Sequence, residues 1–459
     1  MSEWKKVKIG DVCKIVKGST GIASAEPGEY PLVVTAEERK SCSSYQFDCE
    51  AVCIPLVSSS GHGKKSLKNV HYQSGKFALG TILCAVIPNN SNELDARFLR
   101  QYLQFYKDII LVPLMKGAAN VSLSMKDIAT VEIPLPPIEK QRELSELFVL
   151  LQEKEKILNE EYEKQFEYTK QLRQNILQDA IEGRLTEEWR KNNPVVKGNP
   201  DFDAEALFEK IQEEKSHTDS ELLRNSRKKV RSSNNLQDKM EDDFKIDIPQ
   251  EWIYIKLSEL GILERGRSKH RPRNDACLFS EGKYPLVQTG DVSQSKYYGY
   301  RIQPASKFYN DVGLKQSKMW KSGTLCITIA ANIAETGFLT YDACFPDSVV
   351  GFTSYLEGCF KIFVRYYVDS IKQLLEKYAP ATAQKNINLG ILETLKIPLP
   401  PLAEQKEIVS RVEKLLANVT ELEKQITERE TLTKQMLQSI MKDAFRRGKG
   451  NDNKKCNNS

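Results

Sequence analysis

Ile133-Pro134-Leu135-Pro136-Pro137-Ile138-Glu139-Lys140-Gln141 returns later in the chain as Ile397-Pro398-Leu399-Pro400-Pro401-Leu402-Ala403-Glu404-Gln405. Downstream, Gln171-Leu172-Arg173-Gln174-Asn175-Ile176-Leu177-Gln178-Asp179-Ala180 returns as Gln435-Met436-Leu437-Gln438-Ser439-Ile440-Met441-Lys442-Asp443-Ala444 at the same offset. Upstream, Glu3-Trp4 with Lys8-Ile9-Gly10-Asp11-Val12 matches Glu251-Trp252 with Lys256-Leu257-Ser258-Glu259-Leu260. Tyr30-Pro31-Leu32-Val33 matches Tyr284-Pro285-Leu286-Val287. Four matches in one order define an internal repeat. Between the markers the halves hardly agree, so one frame carries two different inserts.

The frame is helical. Pro-Leu-Pro-Pro cannot continue a helix but can start one. After it, apolar residues fall at Leu144, Leu147, Phe148, Leu151, Leu158, Tyr162, Phe166, Leu172, Ile176 and Ala180. The second copy has Ile408, Val412, Leu415, Val419, Leu422 and Ile426, and resumes at Met436 and Ile440 with Arg429 and Thr433 interrupting. Alternating steps of four and three predict a coiled-coil seam on rods of roughly 60 Å. Each seam needs a partner, and the other copy, packed antiparallel, is the nearest one. The inserts read as mixed α/β, with strands expected around 51–57, 81–87 and 324–329 and short helices at 96–109 and 361–377. The segment 194–247 reads as a linker with one helix at 204–214, and its polar part from Ser216 to Asp243 as disordered.

A chain of 459 residues exceeds one ordinary core. No apolar run approaches the roughly 20 residues of a membrane span, and Met1 to Lys6 lack a secretory core, so no membrane partner and a cytoplasmic location are expected. The ten cysteines are scattered, mostly in apolar runs, and read as buried thiols. Cys49 and Cys53 lack a matching second pair, and His62, His71, His217 and His270 form no ligand cluster, so no metal is expected. Net charge is only +5, but lysines and arginines crowd at Lys64-Lys65-Ser66-Leu67-Lys68, Arg224 to Arg231 and Arg265 to Arg273, which suits a polyanion.

Catalytic tools are missing. No Asn-Pro-Pro-Tyr or Asp-Pro-Pro-Tyr exists to hold a flipped adenine, and no glycine-rich strand–loop for S-adenosylmethionine. Gly261 to Ser268 imitates a phosphate loop, but Arg267 replaces its lysine and Pro272 breaks the required helix. Asp201, Glu213 and Lys215 lack the strand that would aim carboxylates at one metal. No catalytic residue is expected.

The frame resembles the specificity subunits of type I restriction–modification enzymes, the HsdS family. Pro400-Pro401-Leu402-Ala403-Glu404-Gln405 fits closely; Pro136 to Gln141 departs at Lys140, where Glu is usual, read here as a surface exchange. Gly183-Arg184-Leu185-Thr186-Glu187-Glu188-Trp189 is similar to the family's junction. The resemblance implies an α+β fold, in which two mixed α/β target-recognition domains are joined by two long antiparallel coiled-coil helices with pseudo-two-fold symmetry. The expected divisions are 1–136 and 248–400 for the recognition domains, 137–185 and 401–447 for the spacer helices, 186–247 for the junction and 448–459 for a polar tail. It further implies double-stranded DNA as ligand, two methyltransferase subunits and restriction motor-nuclease subunits as partners, and a bipartite target, asymmetric because the inserts differ. S-adenosylmethionine, ATP and Mg would belong to the partners, with no cofactor on this chain.

Candidate DNA contacts follow. In the first insert, Ser60, His62, Lys64, Lys65 and Lys68 form a flexible basic loop suited to the backbone. Asn120 and Ser122, with Gln384, Lys385 and Asn386 at corresponding places, alternate with apolar residues, so a strand would show one polar face. Amides there could pair with adenine. In the second insert, Arg265, Arg267, Lys269, Arg271 and Arg273 precede Gln288 and Thr289, a segment similar to one near DNA in the family; Tyr297, Tyr298 and Arg301 follow. The competing reading is a coiled-coil interaction protein whose paired domains bind proteins and not DNA.

Overall fold

The computed structural model describes residues 4–60, 63–222, 246–356, 360–379 and 387–446. They fall into two compact units, with bounds at Lys164/Gln165 and Gln425/Ile426; the first unit holds both ends of the chain and the second its middle. Both repeats become long helices, Ile138–Ile181 and Leu402–Arg446, and each helix gives residues to both units.

In the first unit, Cys13–Lys17, Leu83–Pro88, Ala51–Pro55 and His71–Gln73 form an antiparallel sheet in that order. Ala51–Pro55 is buried throughout because both faces are covered. Val52 and Ile54 pack with Phe98, Leu99 and Leu103 of the helix Ala96–Ile110, while Ala51 and Cys53 pack with Val33, Phe77 and Leu79 of a second sheet. That sheet runs Lys40–Cys42, Tyr30–Val33, Lys76–Leu79, Phe47–Asp48. Asp95 starts the helix by accepting from Phe98 N at 2.8 Å.

The second unit repeats the plan with other residues. Gly261–Arg265, Val349–Ser354, Leu325–Thr328 and Thr336–Phe338 make its sheet. Leu325 and Ile327 join one core with Phe363, Val364 and Tyr367, while Cys326 faces another with Trp320 and Phe345. The helix expected over 361–377 breaks into Phe360–Ser370 and Lys372–Tyr378.

The repeated proline motif does the same thing in both units. Its first residues form a strand that pairs with the strand near the repeated tryptophan, Val7 opposite Ile133 and Ile255 opposite Ile397. The helix then starts at the residue after the second adjacent proline. The shared glutamine is fully buried and ties that start down: Gln141 donates to the Pro136 and Glu93 carbonyls at 2.8 Å, and Gln405 to that of Pro400 at 2.8 Å.

Within each unit the two long helices pair antiparallel. In the first, Phe148 stacks on Phe445 at 4.5 Å and Tyr162 Oη meets Thr433 Oγ1 at 2.9 Å. In the second, Arg173 and Glu423 join at 2.8 Å, and Arg411 donates to the Leu185 carbonyl at 2.8 Å. The seam differs from the expected one. Leu158, Leu172, Leu422, Met436 and Ile440 are exposed, whereas Leu437 is buried and Thr433 half-buried. The expectation stepped by 3.5 residues; a straight helix steps by 3.6 and drifts about 20° per heptad, which moves the buried stripe on by one residue along the second helix. Thr433 interrupts nothing, because Tyr162 satisfies its hydroxyl.

The junction is also not loose. Gly183 ends the first long helix at φ +72°, and a Cβ there would sit 2.7 Å from Pro249 Cγ. Thr186, Arg190 and Trp252 Nε1 all donate to the Glu404 carboxylate, at 2.6, 2.5 and 2.8 Å. Glu404 is buried, while Lys140 at the same repeat position is partly exposed and pairs with Glu143 at 2.6 Å. The surface exchange holds for Lys140 and fails for Glu404. The helix expected at 204–214 extends over Ala204–Leu222, with Leu207 and Ile211 in the second unit's core. Of the stretch expected to be disordered, 223–243 lies outside the described residues.

Candidate nucleic-acid interface

In the first unit the basic loop is built on serines. Ser58 Oγ donates to the Lys64 carbonyl at 2.5 Å and accepts from Ser66 N at 3.2 Å. Ser59 Oγ accepts from Lys68 N at 2.9 Å, and Ser60 Oγ meets Ser66 Oγ at 2.7 Å. These bonds fold the backbone over itself and leave Lys64, Lys65 and Lys68 exposed. His62 lies outside the described residues. Gly63 takes φ +74°, and a Cβ there would meet the Ala118 carbonyl at 2.3 Å, so the loop presses on the 116–122 segment.

That segment runs alongside 56–58: Ser58 N donates to the Val121 carbonyl at 3.0 Å and Leu123 N to that of Leu56 at 2.9 Å. Val121 and Leu123 are buried while Asn120 and Ser122 are exposed, so polar groups share a face. The fold thus brings Ser60, Lys64, Lys65 and Lys68 beside Asn120 and Ser122. Ser124, next in the alternation, is spent as a helix cap accepting from Asp127 N at 3.0 Å. Asn388 does likewise for Ile391 N at 2.9 Å, while Gln384, Lys385 and Asn386 lie outside the described residues.

In the second unit most of the arginines hold partners. Arg273 forks onto both Asp347 oxygens at 2.7 and 2.8 Å, and Arg265 donates to the Asp347 carbonyl. Arg267 pairs with Glu264 at 2.8 Å, and Arg271 donates to the Ser268 and His270 carbonyls at 2.6 and 2.8 Å. Lys269 is exposed, and Gln316 Oε1 accepts from its backbone nitrogen at 2.6 Å. Exposed ion pairs of this kind are weak and readily exchange a carboxylate for a phosphate.

Gln288 N donates to Asp291 at 2.8 Å at the start of the helix Thr289–Gln294, leaving its own side chain exposed. Tyr297 and Tyr298 are 75% and 54% exposed, unusual for rings of this size, and Arg301 is exposed beside them. Lys296, which the sequence reading passed over, lies 5.4 Å from the Tyr297 ring centre. Its signal was available: one more cation in a Lys-Tyr-Tyr run. Asp347 and Glu264, which occupy the arginines, left no such signal.

Burial pushes the Cys13 and Cys84 thiols up to about 12, as inert core thiols require. Burial, with Arg39 and Arg100, lowers His71 to about 4 and keeps it neutral. His270, expected to join no ligand cluster, lies close to Asp275 and Cys277. Its Nε2 lies 2.9 Å from Asp275 Oδ2 and 3.9 Å from Cys277 Sγ.

The pattern of the type I restriction modification DNA specificity domain matches residues 1–165 and 249–429. The chain is 23% identical over 452 residues to the type I restriction enzyme EcoDI specificity subunit of Escherichia coli, covering 97% of this chain and 88% of that one. It is 22% identical over 464 residues to the MjaVIII specificity subunit of Methanocaldococcus jannaschii, covering 96% and 92%. In fold it is similar to the HsdS subunit from Thermoanaerobacter tengcongensis, with a TM-score of 0.53, 17% identity and 97% coverage of both chains. A chain from a type I restriction–modification assembly gives 0.59 at 17% identity, over 97% of this chain and 98% of that one. The protein therefore belongs to the family of type I restriction–modification DNA specificity subunits. Its role is sequence recognition without catalysis. No described helix is long and apolar enough to cross a membrane.

Proposed function

We propose that this chain reads an asymmetric, two-part DNA sequence, one part with each insert, and docks two methyltransferase subunits and the restriction motor-nuclease subunits that act there. The observation that carries this reading is the doubled frame with unlike inserts: Lys64, Lys65, Lys68, Asn120 and Ser122 share a surface in one unit, and a different set including Tyr297, Tyr298 and Arg301 is exposed in the other. The family role supplies the ligand class. Methyl transfer and ATP-driven steps, with S-adenosylmethionine, ATP and Mg2+, fall to the partners.

The test is a methylome. The chain is co-expressed with its neighbouring methyltransferase subunit, and modified bases are mapped by single-molecule sequencing. The expected result is one asymmetric motif of two parts with a fixed gap, absent when this chain is omitted. Lengthening both long helices by one turn, about 5.4 Å, should change the gap and leave the half-sites as they were. A stable complex with an active methyltransferase and no such motif would refute the proposal.

The basic loop of the first unit should supply salt-dependent affinity. Replacing Lys64, Lys65 and Lys68 by alanine removes up to three phosphate contacts, each worth about 0.9 in the slope of log affinity against log salt. Anisotropy titrations of the methyltransferase complex across salt concentrations should show the slope flattened by about 2–3, with the methylated motif unchanged. An unaltered slope would place the loop away from DNA.

A further inference from the structure

We propose that His270, Asp275 and Cys277 form a binding site for a divalent transition-metal ion of the zinc class, built into the basic loop of the second unit. It goes beyond the DNA-reading function and does not depend on it. One nitrogen, one carboxylate oxygen and one sulfur lie within 4.8 Å of one another. Zinc binds such donors at about 2.0–2.3 Å in a tetrahedron, which sets them roughly 3.3–3.8 Å apart. The Nε2–Oδ2 and Nε2–Sγ separations of 2.9 and 3.9 Å straddle that edge, and no two of the three donors lie more than 4.8 Å apart. A water would fill the fourth position.

The backbone beneath the donors is already fixed. Gln316 Oε1 accepts from His270 N at 3.1 Å, and Asp275 N donates to the Pro272 carbonyl at 3.2 Å. Asp275 Oδ1 accepts from Cys277 N at 3.0 Å, which turns Oδ2 toward the histidine. Asn310 Nδ2 donates to the Cys277 carbonyl at 2.9 Å. Support of this kind around the donors is what orients a metal site. Cys277 is the one exposed free cysteine among the described residues, against six that are buried. Mg2+ and Ca2+ are excluded by the donor set, since both demand several oxygens and avoid sulfur. A carboxylate and a thiolate would cancel the ion's charge, so a metal sits among arginines without penalty. Because His270 lies between Lys269 and Arg271, the ion would pin the segment that carries them.

The full chain, reduced and stripped of metal, is titrated with Co2+ and then Zn2+. The expected result is one equivalent of Co2+ with a thiolate-to-cobalt charge-transfer band, displaced by Zn2+. Cys277→Ser should abolish the band and weaken Zn2+ by more than the ~10–100-fold that changes around a metal's ligands cost. His270→Ala should weaken Zn2+ similarly, with melting curves confirming that both variants fold. Trypsin cleavage after Lys269 and Arg273 should slow on adding Zn2+ to the parent and not to Cys277→Ser. No charge-transfer band in the parent, or a band and stoichiometry that persist in Cys277→Ser, would overturn the proposal.

Discussion

Replacing Phe445 by alanine is expected to remove about 3–5 kcal/mol from the first unit. The ring is 5% exposed. It stacks on Phe148 at 4.5 Å, meets Tyr102 edge-on at 5.2 Å, and has Phe105, Tyr106 and Phe98 within 5.9 Å. Five large side chains cannot collapse into the space of one without leaving their rotamers, so most of the cavity should stay open. A domain holds only about 5–15 kcal/mol in total, and the loss is a large share of it. Denaturant titration with hydrogen-exchange readout should show faster exchange across Ala96–Ile110 and the start of the first long helix, with the second unit unaffected. Phe445→Leu should keep most of the stability. A loss under about 1 kcal/mol for the alanine would mean that the aromatic cluster closes without its central ring.

Arg190→Ala is expected to cost the second unit about 3 kcal/mol near neutral pH, because it leaves a buried carboxylate without its cation. Glu404 is 1% exposed and would keep only Thr186 and the Trp252 indole as donors. The pH dependence has a definite sign. Burial raises the folded-state Glu404 carboxyl above its ordinary value of 4.5, against the hydrogen bonds and the Arg190 charge that lower it. Removing Arg190 raises it further. A folded carboxyl that holds its proton more tightly than the unfolded one gains stability as pH falls through its folded value and loses it as pH rises. The deficit should therefore be greatest at neutral pH and shrink as the solution is acidified toward the raised folded value. Arg190→Met with Glu404→Gln should lose less than Arg190→Ala alone, since both charges leave together. A deficit that is flat with pH would show that Glu404 stays hydrated or finds another cation.

Much of this architecture can be read from the repeat. Proline pairs marked where both long helices begin, because a ring without an N–H fits only a first turn. The buried sheets followed from apolar runs such as Ala51–Pro55, and the polar face of Asn120 and Ser122 from their alternation with Val121 and Leu123. What escaped depended on partners distant in sequence. Nothing around Glu404 says that Arg190 and Trp252 will bury it, and nothing near Arg273 names Asp347. The seam slipped at Met436 because a 3.5-residue step was imposed on a straight helix. His270, Asp275 and Cys277 were separable all along as H-x4-D-x-C, but that spacing means little until a turn brings its donors together.

The order in which the chain is made has a consequence here. The second unit is one uninterrupted stretch, Gln165–Gln425, whereas the first needs Phe445 from the far end to complete its core. Translation at about 5–20 residues per second places roughly 15–50 seconds between the emergence of the two parts of the first unit. Proteins commonly fold from the N-terminus as they emerge; here the whole second unit is synthesised before the first unit has all its residues. Until the last helix arrives, Phe98, Phe148 and Tyr102 stay open to solvent, so a ribosome that stops shortly before Phe445 releases a sound second unit and a first unit that is a substrate for chaperones and proteases.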